Sequence, residues 1–266
     1  MSAKYSLESD LELALELAAI ADEITMARYL AQDLVVSTKP DNTPVTDADK
    51  ATEEALRKHL AVTRPEDGLV GEEFGNENKE AARYWVMDPI DGTKNFMRGV
   101  PTWATLIGLV ERQSDGSEKV IVGAVSAPAL SRRWYASSNN GAFAVLNNGA
   151  PRKISVSKVS EISSASIAYS DFQGWNERLA KFQNLISQCT RSRGYGDFWS
   201  HMLVAEGAVD IAAEPSLALW DMAALDVIVR EAGGTFSNLN GETGPFGGNG
   251  ISTNTLLHST VMAALN

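Results

Sequence analysis

Helices layered on two sheets, an α+β chain whose second half turns α/β, is the fold class this sequence predicts. Three observations predict it. Amphipathic helical periodicity dominates the first sixty residues, and runs rich in β-branched and aromatic residues divided by polar turns occupy residues 84–145. Beyond Ala150-Pro151, strand-length and helix-length segments alternate. With 266 residues, 44% of them hydrophobic, the chain can bury a large core. The change of texture divides it into residues 1–150, α+β with an antiparallel sheet, and residues 151–266, α/β.

Taken in order, Leu7, Leu11, Leu15, Ala18, Ile24 and Leu30 form an apolar stripe over residues 6–36. Ser6 or Ser9 is placed to cap that helix, and Glu8, Asp10 and Glu12 favour its positive N-terminus. Lys39-Pro40-Asp41-Asn42-Thr43-Pro44 has loop composition, and a second helix spans 47–60 until Arg64-Pro65-Glu66-Asp67-Gly68 breaks it. Residues 103–110, 120–127 and 133–137 read as strands of an antiparallel meander, turning at Ser114-Asp115-Gly116 and Asn139-Asn140-Gly141. In the second half, strands are expected at 165–169, 209–213 and 235–237. Helices are expected at 175–189, 198–207 and 221–232. Gly247-Gly248-Asn249-Gly250 reads as a plain loop rather than a lid.

The composition excludes several functions. A formal net charge of −11 argues against nucleic acid or an anionic membrane as partner, since both demand a basic face. No run approaches the ~20 apolar residues of a membrane span, and no basic leader precedes an apolar stretch, so a cytoplasmic protein is expected. The single Cys189 rules out an internal disulfide and reads as buried and inert. Three scattered histidines, His59, His201 and His258, do not make an imidazole zinc site.

Chemistry concentrates in Trp85-Val86-Met87-Asp88-Pro89-Ile90-Asp91-Gly92-Thr93. An apolar strand ends in two carboxylates three residues apart, stiffened by Pro89, which fixes its own φ and restricts Asp88 to extended geometry. Hard oxygen ligands on a stiff turn suit Mg²⁺, and Gly92-Thr93 can open a helix whose N–H groups face an anion. A plain Asp-Pro turn has the same composition. Further acids stand at other strand and helix ends: Gly71-Glu72-Glu73, Thr46-Asp47-Ala48-Asp49, and Asp221 ahead of Met222-Ala223-Ala224. Asp49 and Asp221 are compatible with helix caps. The Asp47/Asp49 spacing is not an EF-hand, lacking glycine at the sixth position and glutamate at the twelfth. Carboxylates converging from four junctions repel unless cations bind. A two-metal clamp with ions roughly 4 Å apart needs such a set.

In Val45-Thr46-x-x-Asp49, Gly71-Glu72-Glu73, Asp88-Pro89-Ile90-Asp91-Gly92-Thr93 and Trp220-Asp221-x-Ala223-Ala224, followed by Glu231-Ala232-Gly233-Gly234, the chain resembles the inositol monophosphatase-like, magnesium-dependent phosphatases. The resemblance covers nearly the whole chain. It implies a layered αβαβα sandwich of the inositol monophosphatase and fructose bisphosphatase type. It implies that Glu72, Asp88, Asp91, Asp221 and the Ile90 carbonyl bind two or three Mg²⁺ ions, with Mn²⁺ as a substitute. Asp49 and Thr93 match the pair that orients and deprotonates the attacking water, and Gly92 and Thr93 supply N–H groups to the phosphate. The implied mechanism is in-line attack by metal-activated water without a phosphoenzyme, and the implied assembly is a homodimer.

The substrate is read from Arg193-Gly194-Tyr195-Gly196-Asp197-Phe198-Trp199-Ser200-His201 and from Glu214. Inositol monophosphatases carry small uncharged residues where Asp197 falls, whereas this stretch and Thr93-Lys94-Asn95-Phe96 resemble the bacterial histidinol-phosphate phosphatase branch. Glu214 matches the family's substrate-contacting glutamate. Two acids near the leaving group suit a cationic alcohol, since a desolvated acid facing a neutral polyol is costly. L-histidinol phosphate is the substrate the resemblance implies, within histidine biosynthesis. An inositol 1-phosphate or sugar phosphatase and a catalytically silent metal-binding module are the alternatives. Asp197 fits a helix cap as well as a substrate contact. Arg193 fits an ion pair ahead of a phosphate contact, and His201 a structural role ahead of a pocket one. Tyr195, Phe198 and Trp199 fit either a wall against a cation or core packing.

Overall fold

Ser6 accepts the Ser9 N–H at 3.1 Å, and the first helix, α1 (Leu7–Arg28), begins there. In this computed structural model, which describes residues 5–266, α1 stops well before residue 36. Tertiary contacts override the helical pattern at its end. Tyr29 leaves the helix extended, donates its hydroxyl to the Gly99 carbonyl at 2.6 Å and packs on Phe96 and Trp103. The stretch expected to be a loop is the tip of a hairpin between β1 (Val36–Thr38) and β2 (Pro44–Thr46). Helix α2 (Asp47–Thr63) follows, started by a capping box between Thr46 and Asp49.

An eight-stranded sheet is built from β3 (Gly68–Gly71), β4 (Gly75–Glu77), β5 (Arg83–Asp91), β6 (Ala104–Arg112), β7 (Glu118–Ala127), β8 (Arg132–Ser137), β9 (Ala142–Leu146) and β10 (Arg152–Ile154). Its order is β10-β9-β8-β7-β6-β5-β3-β4, antiparallel except for the parallel pair β3 and β5. A short helix, α3 (Thr93–Met97), lies between β5 and β6. The five-stranded sheet, in the order β12-β11-β13-β15-β14, is made of β11 (Ser166–Ala168), β12 (Arg191–Arg193), β13 (Ile211–Glu214), β14 (Thr235–Ser237) and β15 (Gly250–Thr253). Helices α4 (Leu179–Gln188), α5 (Asp197–Ala205), α6 (Leu219–Glu231) and α7 (His258–Leu265) complete the second half. The sequence pattern gave no signal for β15 and α7, which are too short to show a period.

Strand alternation sorts the core into layers. Trp85 and Met87 face α1 and α2, packing with Leu17, Leu56 and Leu60. Tyr84 and Val86, one residue out of phase, face α5 and α6 and pack with Met202, Ala223 and Val227. Gly108 and Gly123 let α6 lie close on this sheet; a Cβ at Gly123 would sit 2.7 Å from the Ala224 carbonyl oxygen. On the far side of the second sheet, Ile167, Ile211 and Ile251 pack with Phe182 of α4 and Val261 of α7. The layers therefore run α1/α2, sheet, α5/α6, sheet, α4/α7, an αβαβα sandwich. The first sheet continues to Ile154, past residue 150, and takes its second helical cover from α6.

Candidate active site

Residues three apart on a regular strand point to opposite faces. Asp88 and Asp91 nevertheless converge, because the β5–β6 ladder shifts register between them. Pro89, lying in that shift, cannot donate to the ladder, and its carbonyl accepts the Thr105 hydroxyl at 2.8 Å. The Asp88 carboxylate turns back to accept the Ile90 N–H at 2.9 Å. With Asp221 from the first turn of α6, one carboxylate oxygen of each lies within 4.8 Å of the others. Asp221 is also a cap of its own helix, accepting the Ala218 N–H at 2.7 Å. One oxygen of Asp221 caps the helix, and the carboxylate also comes within hydrogen-bonding reach of Asp88.

Glu72, just past the end of β3, comes within hydrogen-bonding reach of Asp88. Its other neighbour is Lys39 from the β1–β2 tip, whose ammonium reaches Glu72 at 2.7 Å and Glu73 at 2.6 Å. Burial works against the charge on Lys39, but those hydrogen bonds hold its pKa above the usual lysine value. Nothing in the sequence around Lys39 signalled this pairing, since the hairpin closes a gap of 33 positions. Asp47 points elsewhere, to Arg28 at 2.8 Å.

Asp49 is fully buried. Its Oδ2 accepts from the Thr46 N–H at 2.7 Å and hydroxyl at 2.6 Å, while its Oδ1 is buried without a hydrogen-bond partner. Burial pushes its carboxyl up to about 6. Thr93 donates its hydroxyl to the Ile90 carbonyl at 3.1 Å. Gly92 precedes α3 with φ +84°, a conformation that favours glycine, and a Cβ there would sit 2.9 Å from the Thr102 carbonyl oxygen.

Burial, then the neighbouring Glu72, Asp91 and Asp221, hold Asp88 well above the usual carboxylate range. Burial, then Asp197 and Asp221, do the same to Asp91, and burial pushes Asp221 up to about 7. Four acids and one ammonium are an unbalanced set. Clustered oxygen donors with excess negative charge fit hard divalent cations, so the donor chemistry passes the test for Mg²⁺.

A cavity of about 440 Å³ leads from Asp91 and Asp221 to Asp197 and Glu214, with Lys94 at its wall and His201 among its lining residues. Gly196, not Asp197, precedes the first residue of α5, and no side chain from that segment caps the helix. Asp197 instead sits in the left-handed region at φ +49° and takes hold of Asn95, whose amide donates to it at 3.1 Å. Burial raises its pKa and Lys94 lowers it, with burial prevailing. Glu214 is buried, accepts the Ser170 hydroxyl at 2.8 Å and is pushed up to about 8, mainly by desolvation. Neither Asn95 nor Ser170 stood out as a partner of these acids, because single polar residues carry no pattern.

Arg193 lies outside the cavity lining; it is exposed and donates to the carbonyl of Ser192 at 2.7 Å. His201 is buried, its Nδ1 2.7 Å from the Ser252 hydroxyl, and desolvation pulls its pKa down to about 4. Phe198 faces the cavity and packs edge-on to Trp134, whereas Tyr195 packs on Trp199. Cys189 is half-buried, and burial pushes its thiol up to about 11.

Residues 6–266 match the model of the inositol monophosphatase family. The chain belongs to that family. It is 53% identical over 259 residues to the histidinol-phosphatase of Mycobacterium tuberculosis, covering 97% of this chain and 98% of that protein. It is also 53% identical to the histidinol-phosphatase of Streptomyces coelicolor, over 97% of each chain. Among solved structures, the extragenic suppressor protein suhB from Bartonella henselae superposes with a TM-score of 0.85 at 28% identity, over 97% of this chain and 98% of that one. An inositol monophosphatase from Zymomonas mobilis gives 0.84 at 29% identity, over 98% and 99%. As an inositol monophosphatase family member, the protein is a metal-dependent phosphoric monoester hydrolase. Among the described residues, no helix is long and apolar enough to cross a membrane.

Proposed function

We propose that this family member hydrolyses L-histidinol phosphate to L-histidinol and phosphate, a step of histidine biosynthesis in the cytoplasm. The observation that carries the substrate is the pair Asp197 and Glu214, two acids lining the cavity that opens on the Asp91/Asp221 corner. A leaving alcohol with cationic nitrogens compensates those acids, whereas a neutral polyol brings them no countercharge. The two relatives at 53% identity, both histidinol-phosphatases, support the same reading.

Glu72, Asp88, Asp91, Asp221 and the Ile90 carbonyl would hold the cations, two or three Mg²⁺ with Mn²⁺ as a substitute. When bound, the cations supply Lewis-acid activation of water and neutralise charge on the phosphate and the leaving oxygen. Asp49 is poised to take the proton of the attacking water, since its Oδ1 has no other partner and burial lifts its pKa to about 6, making it a stronger base than an ordinary carboxylate. Thr93, with its own proton committed to Ile90, orients that water by accepting from it. Gly92 and Thr93, at the start of α3, offer backbone N–H groups to the phosphate. Asp197 and Glu214 bind the alcohol. Arg193, exposed and outside the cavity lining, has no part in this substrate contact, and a homodimer is the proposed assembly. Residues 1–150 are proposed to carry most of the metal site and residues 151–266 the specificity residues.

The deciding experiment compares kcat/KM for L-histidinol phosphate with that for inositol 1-phosphate at saturating Mg²⁺. A preference for histidinol phosphate of about a hundredfold or more is expected, because unpaired buried polar groups penalise the wrong ligand strongly. A preference for inositol phosphate ends the assignment.

A further inference from the structure

Helix α3 carries two polar side chains of interest two residues apart, Thr93 and Asn95. The Asn95 amide makes two hydrogen bonds: to the Thr102 carbonyl at 2.9 Å and to Asp197 Oδ2 at 3.1 Å. The first anchors the amide to the segment entering β6. The second reaches 102 positions along the chain to the start of α5.

Asp197 needs such holding. Its backbone is left-handed, an uncommon state for a residue other than glycine, and its N–H is pinned by the Ser170 hydroxyl at 3.0 Å. Ser170 in turn gives its own proton to Glu214. The backbone of Asp197 is therefore fixed from the β11 side, while among the described residues Asn95 supplies the side-chain hydrogen bond to its carboxylate. Lys94 also lines the cavity and attracts the same carboxylate, but it is exposed, so solvent screens that attraction. The carboxylate lies beside Gly92, where a Cβ would sit 3.4 Å from Asp197 Oδ2.

We propose that Asn95 is a positioning residue for substrate selection, its amide holding the Asp197 carboxylate at the leaving-group end of the cavity so that esters of a cationic alcohol are preferred. Because Thr93 and Asn95 share one short helix, the distance between the phosphate end and the cation end of the site is set by α3. This inference rests on the proposed function, since it assumes a cationic leaving group.

The test is steady-state kinetics of the Mg²⁺-loaded enzyme on L-histidinol phosphate and on inositol 1-phosphate, for wild type, Asn95→Ala, Asp197→Ala and the double variant. Asn95→Ala is expected to lower kcat/KM for histidinol phosphate about tenfold, chiefly through KM, and to change that for inositol 1-phosphate less than about twofold. In the double variant, loss of Asn95 should add nothing to loss of Asp197. Equal losses on both esters, or losses that multiply in the double variant, overturn the proposal and leave Asn95 a structural residue of the α3 turn. If Asn95→Ala does not fold, Asn95→Ser replaces it, retaining a donor too short to bridge to Asp197. Wild type with no preference for histidinol phosphate means that the proposed function itself has failed. Wild type with the preference, retained by the Asn95 variant, means that only the positioning role has failed.

Discussion

Asp91 Oδ2 accepts the backbone N–H of Phe198 at 2.7 Å, across 107 positions of the chain. The carboxylate that ends β5 thus serves as the cap that α5 lacks in its own segment. Through this bond the acidic corner and the helix bearing Asp197 are held in register. The four carboxylates and the leaving-group pocket are one mechanical unit rather than two neighbouring features.

Asp88→Asn keeps the side-chain shape and removes one of several mutually repelling charges. Turnover should fall by about a thousandfold or more, as expected when a group of the catalytic unit is lost. The metal-free variant should melt at a higher temperature than metal-free wild type, because burial and the neighbours Glu72, Asp91 and Asp221 disfavour the Asp88 charge. Near-normal activity at saturating Mg²⁺ would remove Asp88 from the ligand set.

Stabilisation by Mg²⁺ should grow with pH. The folded-state pKa values of Asp88, Asp91 and Asp221 lie above ordinary carboxylate values, with Asp221 near 7. Raised acids contribute stability that is complete below their unfolded pKa, near 4, and lost as pH rises through the folded value. Metal-free protein should therefore lose stability between pH 5 and 8, the range in which bound cations replace the lost protons. Melting curves with Mg²⁺ and with a chelator across that range measure the increment; an increment independent of pH contradicts the clustered-acid picture.

His201 gives a pH effect of the opposite sign. Its folded pKa, pulled down to about 4 by desolvation, lies below the 6.5 of the free side chain. The neutral ring's contribution is therefore complete above pH 6.5 and is lost as pH falls through 4, on the order of 3 kcal/mol in all. His201→Gln removes the titration, so its urea-unfolding free energy should fall less steeply than that of wild type between pH 6.5 and 4. Parallel profiles for the two proteins would show that His201 is not buried as a neutral ring.

Gly71→Ala should weaken metal binding without touching a ligand. A Cβ at Gly71 would land on the Glu53 carboxylate. Glu53 is held by Arg57 at 2.8 Å and accepts the Glu73 and Phe74 N–H groups at 2.7 and 3.1 Å, which shapes the turn carrying Glu72. Displacing it should cost about tenfold to a hundredfold in Mg²⁺ affinity, the usual penalty for disturbing groups behind the ligands. Mg²⁺ titration by calorimetry reads this directly, and unchanged affinity would show that the turn is held by other contacts.

Much of the architecture was legible because its signals are local. Ser6 and the Thr46/Asp49 pair sit at the starts of their helices as capping chemistry dictates, and β6, β7 and β8 lie within a few residues of their expected bounds. Tyr29 shows where local pattern fails: the amphipathic stripe continues past it, but a hydroxyl bond to Gly99 and two aromatic neighbours draw the chain away. The α6 helix was expected and its placement was not. Its contact with the first sheet depends on Gly108 and Gly123, more than 90 positions earlier in the chain.

The sequence by itself determined which groups this protein brings to its chemistry: acids at the ends of β3, β5 and the first turns of α2 and α6, a stiff Pro89, a permissive Gly92. These follow from residue type and short-range sterics, which are written in neighbouring positions. Tertiary structure alone decided that Asp88 and Asp91 share a side, that Lys39 answers Glu72, and that Asn95 and Ser170 hold the pocket acids. Those outcomes depend on a register shift and on desolvation. Both are completed only when distant segments close over one another and exclude water; Pro89 marks where the ladder breaks, but no local pattern says which side chains then meet.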